Sequence, residues 1–230
     1  MIQIGKVTAI VLAALVSWAT ASSAAQAREN WTATVSVSAE GQHVLGNPKA
    51  PVQLTEYVSY TCPHCSTFQK QAEAPMRLAY VMPGKLSVKV HHFIRDPVDL
   101  TITMLTNCGD PQGFFKLHHT FLYGQDKWLT KMGDFSEAQR LRWRSGKLSE
   151  RTQAVARDFD FYAIMAQHGM SRTQVDRCLS DVALATRLAE QSRIARDAGV
   201  DDAPRFALGG TILAATEDWE TLDLQIKARM

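Results

Sequence analysis

Two cysteines three positions apart, Cys62-Pro63-His64-Cys65 within SYTCPHCSTF (59–68), are the residues of this 230-residue chain best suited to do chemistry. A Cys-x-x-Cys pair can be a dithiol–disulfide couple, half of a zinc site or a haem attachment point. A structural zinc site takes four Cys or His ligands, often from two paired motifs, and the chain has no second Cys-x-x-Cys. Haem attachment needs a histidine directly after the second cysteine, where this chain has Ser66. A redox couple remains, with a purely structural disulfide as its alternative.

The flanking residues say how such a couple is held. VQLTEYVSY (52–60) is rich in β-branched and aromatic residues and reads as a strand. From Pro63 the pattern turns helical, with Phe68, Ala72, Met76, Ala79 and Tyr80 on one face. Cys62 therefore lies at a strand-to-helix junction, and Pro63 suits the first helical turn, where its missing N–H would be unsatisfied anyway. There the Cys62 sulfur faces free backbone N–H groups and the positive end of the helix dipole, which stabilise a thiolate. Cys65, nearly one turn further on, is less exposed and placed to resolve a mixed disulfide. His64 can add a hydrogen bond or positive charge near the Cys62 sulfur. On the preceding strand Val52, Leu54, Glu56, Val58 and Tyr60 share one side. A carboxylate in an apolar row is costly unless paired or protonated, so the pKa of Glu56 should rise. Glu56 could then exchange protons with Cys65; the alternatives are a lysine partner or a less buried face.

The elements around the pair run β-α-β, then helices, then β-β-α, an α/β arrangement. Residues 28–50 are polar, with a short strand expected over Thr32–Val37 and a turn at Gly46-Asn47-Pro48. Pro75 should kink the first helix, Pro83-Gly84 ends it, and LSVKVHHFI (86–94) reads as a second strand. That order implies parallel strands joined by a right-handed crossover. From about Val98 to Ala198 the pattern is one of amphipathic helices. After Gly199, RFAL and TILA flank Gly209-Gly210, a hairpin signal. TEDWETLDLQIKARM makes a last helix, with Thr216 as its expected N-cap.

The N-terminus bears on where the pair works. Lys6, the apolar run Val7–Ala21 and Ala25-Gln26-Ala27 have the pattern of a cleavable secretory signal over residues 1–27. An exported chain meets an oxidising compartment, where four cysteines suggest two disulfides. The short step from Cys62 to Cys65 suits a local pair and leaves Cys108 with Cys178. A net charge of +2 gives no reason to expect nucleic acid. His91-His92 and His118-His119 diverge on a strand or helix and make poor chelates, so no metal site is expected. RLRWRSGK (140–147) is a basic run that could dock an anionic surface, or simply be a solvated helix face. Phe114, Phe115, Leu117, Phe121, Leu122 and Tyr123 read as helix core.

EYVSYTCPHC, the interrupted helix, the long helical insert, APRF and the final hairpin and helix together resemble the DsbA-type thiol:disulfide oxidoreductases of the thioredoxin superfamily, over about residues 45–230. The resemblance implies a thioredoxin fold over 28–97 and 199–230, with an inserted all-helical domain over 98–198. It implies Cys62, Pro63, His64, Cys65 and Glu56 as the catalytic set. It places a cis-proline at Pro204, with the Ala203 backbone offering N–H and C=O to an extended substrate and Arg205 beside the site. It also implies a second, non-catalytic disulfide between Cys108 and Cys178. The expected activity is donation of a disulfide to reduced, unfolded, newly exported polypeptides in the periplasm. A quinone-linked membrane protein of DsbB type would reoxidise the pair, with no soluble cofactor. Residues 28–50 are too short for the dimerisation domain of family isomerases, which favours a monomer. The rival readings are an isomerase or reductase, and a non-enzymatic thioredoxin-like chaperone or copper carrier.

Overall fold

The structure, a computed structural model, describes residues 29–230; the expected signal segment 1–27 lies outside them. Six strands form one mixed sheet: β1 (Val35–Val37), β2 (His43–Gly46), β3 (Val52–Val58), β4 (Leu86–His92), β5 (Arg205–Leu208) and β6 (Thr211–Ile212). Their spatial order is β1-β2-β4-β3-β5-β6. Only β3 and β4 run parallel, in a register that pairs Glu56 with Val90. β5 lies antiparallel on the other side of β3, with Phe206 opposite Glu56. β3 is thus central, and the residues just beyond its C-terminal end, including Cys62, are flanked by the segments leaving β4 and entering β5.

The crossover from β3 to β4 is α1 (Pro63–Met76), continued by a single π turn over Arg77–Val81. Pro75 lies within α1 and has no N–H to donate to the preceding turn. Two residues later the ladder widens, the Met82 N–H bonding the Arg77 carbonyl at 2.8 Å. The wider turn shifts the helical phase. Tyr80 and Val81 are buried, whereas Ala79, expected on the inner face, is exposed.

The N-terminal segment departs from expectation. Trp31–Ala33 form a 3-10 turn, so β1 is shorter than the strand expected over Thr32–Val37. β2 gave no clear alternating signal, yet it pairs with both β1 and β4. Its last residue, Gly46, has φ +102°, and a Cβ there would sit 2.9 Å from the Leu86 carbonyl oxygen. What looked like a plain turn is a close backbone approach that only glycine allows.

Between β4 and β5 the described chain is helical: α2 (Pro97–Thr106), α3 (Phe114–Tyr123), α4 (Gln125–Leu129), α5 (Glu137–Arg142), α6 (Leu148–Asp158), α7 (Phe161–Gln167), α8 (Arg172–Leu179) and α9 (Val182–Asp197). α2 is central to this region and packs against α3, α6, α8 and α9. The side chains of Ile102, Met104 and Leu105 are fully buried. Cys108, just after α2, is bonded to Cys178 on α8. α9 covers the sheet face opposite α1, where His91 donates from Nε2 to the Gln191 carbonyl and accepts from Gln42 at Nδ1. The basic run 140–147 is no single solvated face. Arg140 donates to the Phe135 and Met132 carbonyls, Arg142 pairs with Asp158, and Trp143 is buried.

The final helix, α10 (Trp219–Lys227), starts later than expected, with Asp218 as N-cap, its carboxylate accepting from the Thr221 N–H. Thr216 is instead buried and donates to the Ala214 carbonyl. Among the described residues no helix is long and apolar enough to cross a membrane.

Candidate active site

Cys62 is the N-cap of α1, in extended conformation, with Pro63 in the first helical turn. Its thiol donates to the Ala203 carbonyl oxygen at 2.9 Å. Neither Cys62 nor Cys65 is bonded to another cysteine, and both residues are buried. Their acidities are driven apart. Cys62 is lowered to about 6, chiefly by a hydrogen bond from the Cys65 thiol, then by the backbone N–H groups of Cys65 and His64 and the charge of Arg95, against the opposing effect of burial. Cys65 is raised well above the ordinary thiol range, first by burial and then by the same sulfur–sulfur contact. Free N–H groups at a helix start and a nearby cation are the conditions that stabilise a thiolate.

Two of these contributors differ from the sequence reading. The His64 side chain is exposed and makes no hydrogen bond to the sulfur, so His64 acts through its backbone N–H. The cation is Arg95, three residues past the end of β4, whose guanidinium also lies 3.7 Å from Asp202. The signal for it was positional: β3 and β4 are parallel, so their C-terminal ends open on the same edge of the sheet.

Glu56 is 2 % exposed and faces the α1 side of the sheet. Its Oε1 has no hydrogen-bond partner among the described residues, and no lysine pairs with it. Burial raises its pKa to about 7, and its charge bears on both Cys65 and Tyr60. It is therefore a carboxyl able to hold or release a proton near neutral pH.

The Ala203–Pro204 peptide bond is cis. The Ala203 backbone is occupied, its N–H by the Asp202 side chain at 2.8 Å and its carbonyl by Cys62. Offering both groups to an extended substrate thus requires that these two contacts be exchanged. Arg205 does not present a free charge beside the sulfur, because Asp201 and Glu217 both pair with it. Beside Pro204 lies a surface cavity of about 260 Å³ lined by His64, Thr67, Phe68, Ala203 and Arg205 among others. Phe68 packs against Phe206 below it, with the rings tilted and their centroids 4.5 Å apart.

The helical region holds the catalytic loop from behind. Buried Asp99 on α2 accepts from the Ser59 hydroxyl (2.6 Å), the Tyr60 N–H (2.8 Å) and the Arg95 N–H (3.0 Å). Asp96 accepts from the Thr61 hydroxyl at 2.7 Å. The Gln125 amide donates to the carbonyls of Tyr60 and Cys62 at 2.7 and 2.9 Å. Sequence reasoning missed Asp96, Asp99 and Gln125. Asp96-Pro97 is a helix-start signal, and the Asp96 carboxylate does cap α2, but nothing local marks Asp99 or Gln125 as reaching the loop. Among the described residues no group of three or more His, Cys, Asp or Glu side chains is arranged to hold a metal ion.

Comparison with known proteins agrees with this geometry. A family model described as Thioredoxin matches residues 38–228. A solved protein-disulfide isomerase from Novosphingobium aromaticivorans is 46% identical, covering 82% of this chain and 96% of that one, with a TM-score of 0.79. The alpha-DsbA1 structure from Wolbachia pipientis is 20% identical over 84% of this chain and 92% of its own, with a TM-score of 0.65, and shares the fold. A curated relative from Rickettsia conorii, a protein-disulfide oxidoreductase by name, is 38% identical over 86 residues, 37% of this chain. The chain spans about a third, 31%, of that relative's length. The α/β fold expected from the resemblance is the one observed.

Proposed function

From the premise that this chain belongs to the thioredoxin family, as a DsbA-type member, we propose that it is a thiol:disulfide oxidoreductase that donates a disulfide to reduced, newly exported proteins. The observation that carries the reading is the opposed acidity of the two cysteines at the start of α1. Starting from oxidised Cys62–Cys65, a substrate thiolate attacks Cys62 Sγ. The Cys62–Cys65 bond breaks, a substrate–Cys62 disulfide forms, and Cys65 leaves with the electron pair. Cys65 is a poor leaving group, and Glu56, poised near neutrality, supplies its proton. A second substrate thiolate then attacks the substrate sulfur of the mixed disulfide. Cys62 leaves as a stabilised thiolate, and the substrate keeps the new disulfide. A low leaving-group pKa speeds this second exchange and favours donation.

The cavity beside Pro204 is where an extended substrate would lie, with the Ala203 backbone available once its two internal contacts are exchanged. The division into 28–97 with 199–230 and an inserted 98–198 belongs to the same proposal, as do the cleaved segment 1–27, a periplasmic location, a monomeric state and a quinone-linked reoxidant in the membrane. A second reading, isomerase, is favoured by the name of the Novosphingobium relative. The separating experiment supplies the oxidised chain to a fully reduced multi-thiol protein, and the reduced chain to the same protein with scrambled disulfides. Rapid stoichiometric oxidation with slow unscrambling supports the donor; the reverse ranking supports the isomerase. Neither activity, together with stoichiometric copper binding, would point to a carrier.

A further inference from the structure

The cation that bears on Cys62 also lines a second cavity, which the exchange reaction leaves unused. This cavity lies where the segment leaving β4 meets α6. It has a volume of about 220 Å³ and is walled by Ile94, Arg95, Leu100, Trp143, Leu148 and Arg151 among others. It has no lining residue in common with the cavity beside Pro204. The two adjoin at one contact: Asp202 lines the cavity beside Pro204, Arg95 lines the second, and their charged groups are 3.7 Å apart. A polypeptide bonded to Cys62 and lying against Pro204 therefore has the second cavity within a few residues of its cysteine.

Its cations are left over from the fold. Arg151 on α6 pairs with no carboxylate among the described residues, and its Nε is buried without a hydrogen-bond partner. A guanidinium in that state is costly until an acceptor compensates it. Asp96, the carboxylate in the lining, is already committed: it accepts from the Val98 and Asp99 N–H groups and the Thr61 hydroxyl. The basic run 140–147 borders the same place. Arg140 and Arg142 are used internally, but Arg144 and Lys147, on the loop between α5 and α6, are exposed and in no ion pair among the described residues. Trp143, whose indole N–H is taken by Asp158, gives the cavity an apolar wall together with Leu100 and Leu148. Apolar walls and an uncompensated arginine suit a short methylene stem that ends in a carboxylate, which the guanidinium fork can receive at two points. The volume is below the roughly 300–1,000 Å³ of sites for whole small molecules, and fits a side chain.

We propose that this cavity is a subsite for an acidic side chain of the substrate polypeptide, near in sequence to the reacting cysteine, with Arg151 as the receiving cation and Arg95 at the edge nearer Cys62. The inference deepens the thiol-exchange reading and rests on it. A substrate whose sulfur is at Cys62 holds its neighbouring side chains at high local concentration, so the subsite need not bind a free carboxylate tightly. It selects, among polypeptides presenting a cysteine, those with Asp or Glu a few residues away.

The test uses the reduced full chain and capped peptides with one cysteine, each activated as a disulfide with an uncharged pyridyl thiol. The peptides carry Glu or Gln at one of the positions within about four residues on either side of the cysteine. The Cys62 thiolate attacks the peptide sulfur, the peptide–pyridyl disulfide breaks, and the released thiopyridone is followed by its absorbance. Dividing each rate by that of the same peptide with mercaptoethanol removes the effect of glutamate on the disulfide itself. At one or more positions Glu should be preferred over Gln by about fivefold or more at low salt, and the preference should shrink as salt is added. Arg151→Gln should bring the ratio to within about 1.5-fold, and Arg151→Lys should keep part of it. A parent ratio within about 1.5-fold at every position, or an equal preference in Arg151→Gln, overturns the subsite. A clear glutamate preference in a chain that fails to oxidise the matching dithiol peptides keeps the subsite and removes only the donor direction. A chain that reacts with every peptide no faster than mercaptoethanol does overturns both the thiol-exchange reading and the subsite.

Discussion

The Cys62 sulfur lies 2.9 Å from the carbonyl oxygen of Ala203, a residue 141 positions later in the chain. The thiol can donate to that oxygen; a thiolate cannot. Loss of the proton turns an attraction into repulsion between two electron-rich atoms, while the N–H groups of His64 and Cys65 remain to receive the anion. The protonation state of Cys62 is thereby linked to the segment that carries the cis-proline. A substrate that engages the Ala203 carbonyl competes for the same contact.

The acidity of Cys62 should be measurable and divisible among its causes. Alkylation rate or thiolate absorbance should titrate with a midpoint near 6. Cys65→Ala removes the largest contribution and should move the midpoint upward most. Arg95→Ala removes the smallest of the lowering contributions and should move it less. A larger shift in the arginine variant would mean that the cation, rather than the sulfur–sulfur contact, governs the site.

Glu56 should cost stability where it is ionised. Its pKa is raised from 4.5 to about 7 by burial, so between those values the folded chain holds a proton that the unfolded chain has lost. Stability contributed by this group therefore falls as pH rises through the window, and the full penalty stands above it. Relative to the parent, Glu56→Gln should gain on the order of 3 kcal/mol at pH values above the window and little below pH 4.5. His43 and His92, lowered by burial to about 4 and about 3, act with the opposite sign on acidification. The difference between variant and parent in urea unfolding, measured across pH, isolates Glu56 from them. A difference that does not grow with pH would contradict the buried, unpaired carboxyl.

Asp99 should matter as the anchor of the catalytic loop. Asp99→Ala leaves the Ser59 hydroxyl and the N–H groups of Tyr60 and Arg95 without their acceptor. The expected loss is about 3 kcal/mol or more, at roughly 1–3 kcal/mol for each stranded group. Asp99→Asn keeps an acceptor oxygen and should cost much less. Because Arg95 and the residues before Cys62 are both held by Asp99, the alanine variant should also alkylate Cys62 more slowly at pH 6. Equal stability of the two variants would remove Asp99 from this role.

The Cys108–Cys178 bond closes a 70-residue separation within the helical region. Cross-linking a loop of that length stabilises by roughly 4 kcal/mol in the chain-entropy description. Replacing both cysteines by alanine should lower the unfolding midpoint clearly and leave the exchange rate of Cys62 with glutathione disulfide nearly unchanged. Both bonded cysteines lie away from the residues that contact Cys62.

How far the site can be read from sequence depends on how local each signal is. The junction at Cys62, the helix beginning at Pro63 and the inward face of Glu56 follow from spacings within a few residues. Cys65 and Glu56 are buried for the reasons their neighbours' patterning gives. The contributions of Arg95, Asp99 and Gln125 depend on where β4, α2 and α4 end up in space, and a lone sequence carries no such register. His64 misled because residue type suggested a side-chain role, whereas its position at the helix start gives the work to its backbone N–H. Ala79 misled because periodicity of 3.6 was carried through a turn that has a different period. β2 was hidden because a short strand with both faces partly covered need not alternate, and its glycine marks a contact rather than a bend.

The central claim is that Cys62–Cys65 gives disulfides away, and its most direct test is the reduction potential of the pair, from equilibration of the full chain with glutathione buffers. A stabilised Cys62 thiolate favours the reduced form. With Cys62 at about 6, between the cysteines of thioredoxin and DsbA, the account predicts a value more oxidising than that of thioredoxin, shifted toward the figure of DsbA, about −120 mV. A value near that of thioredoxin, about −270 mV, would contradict it.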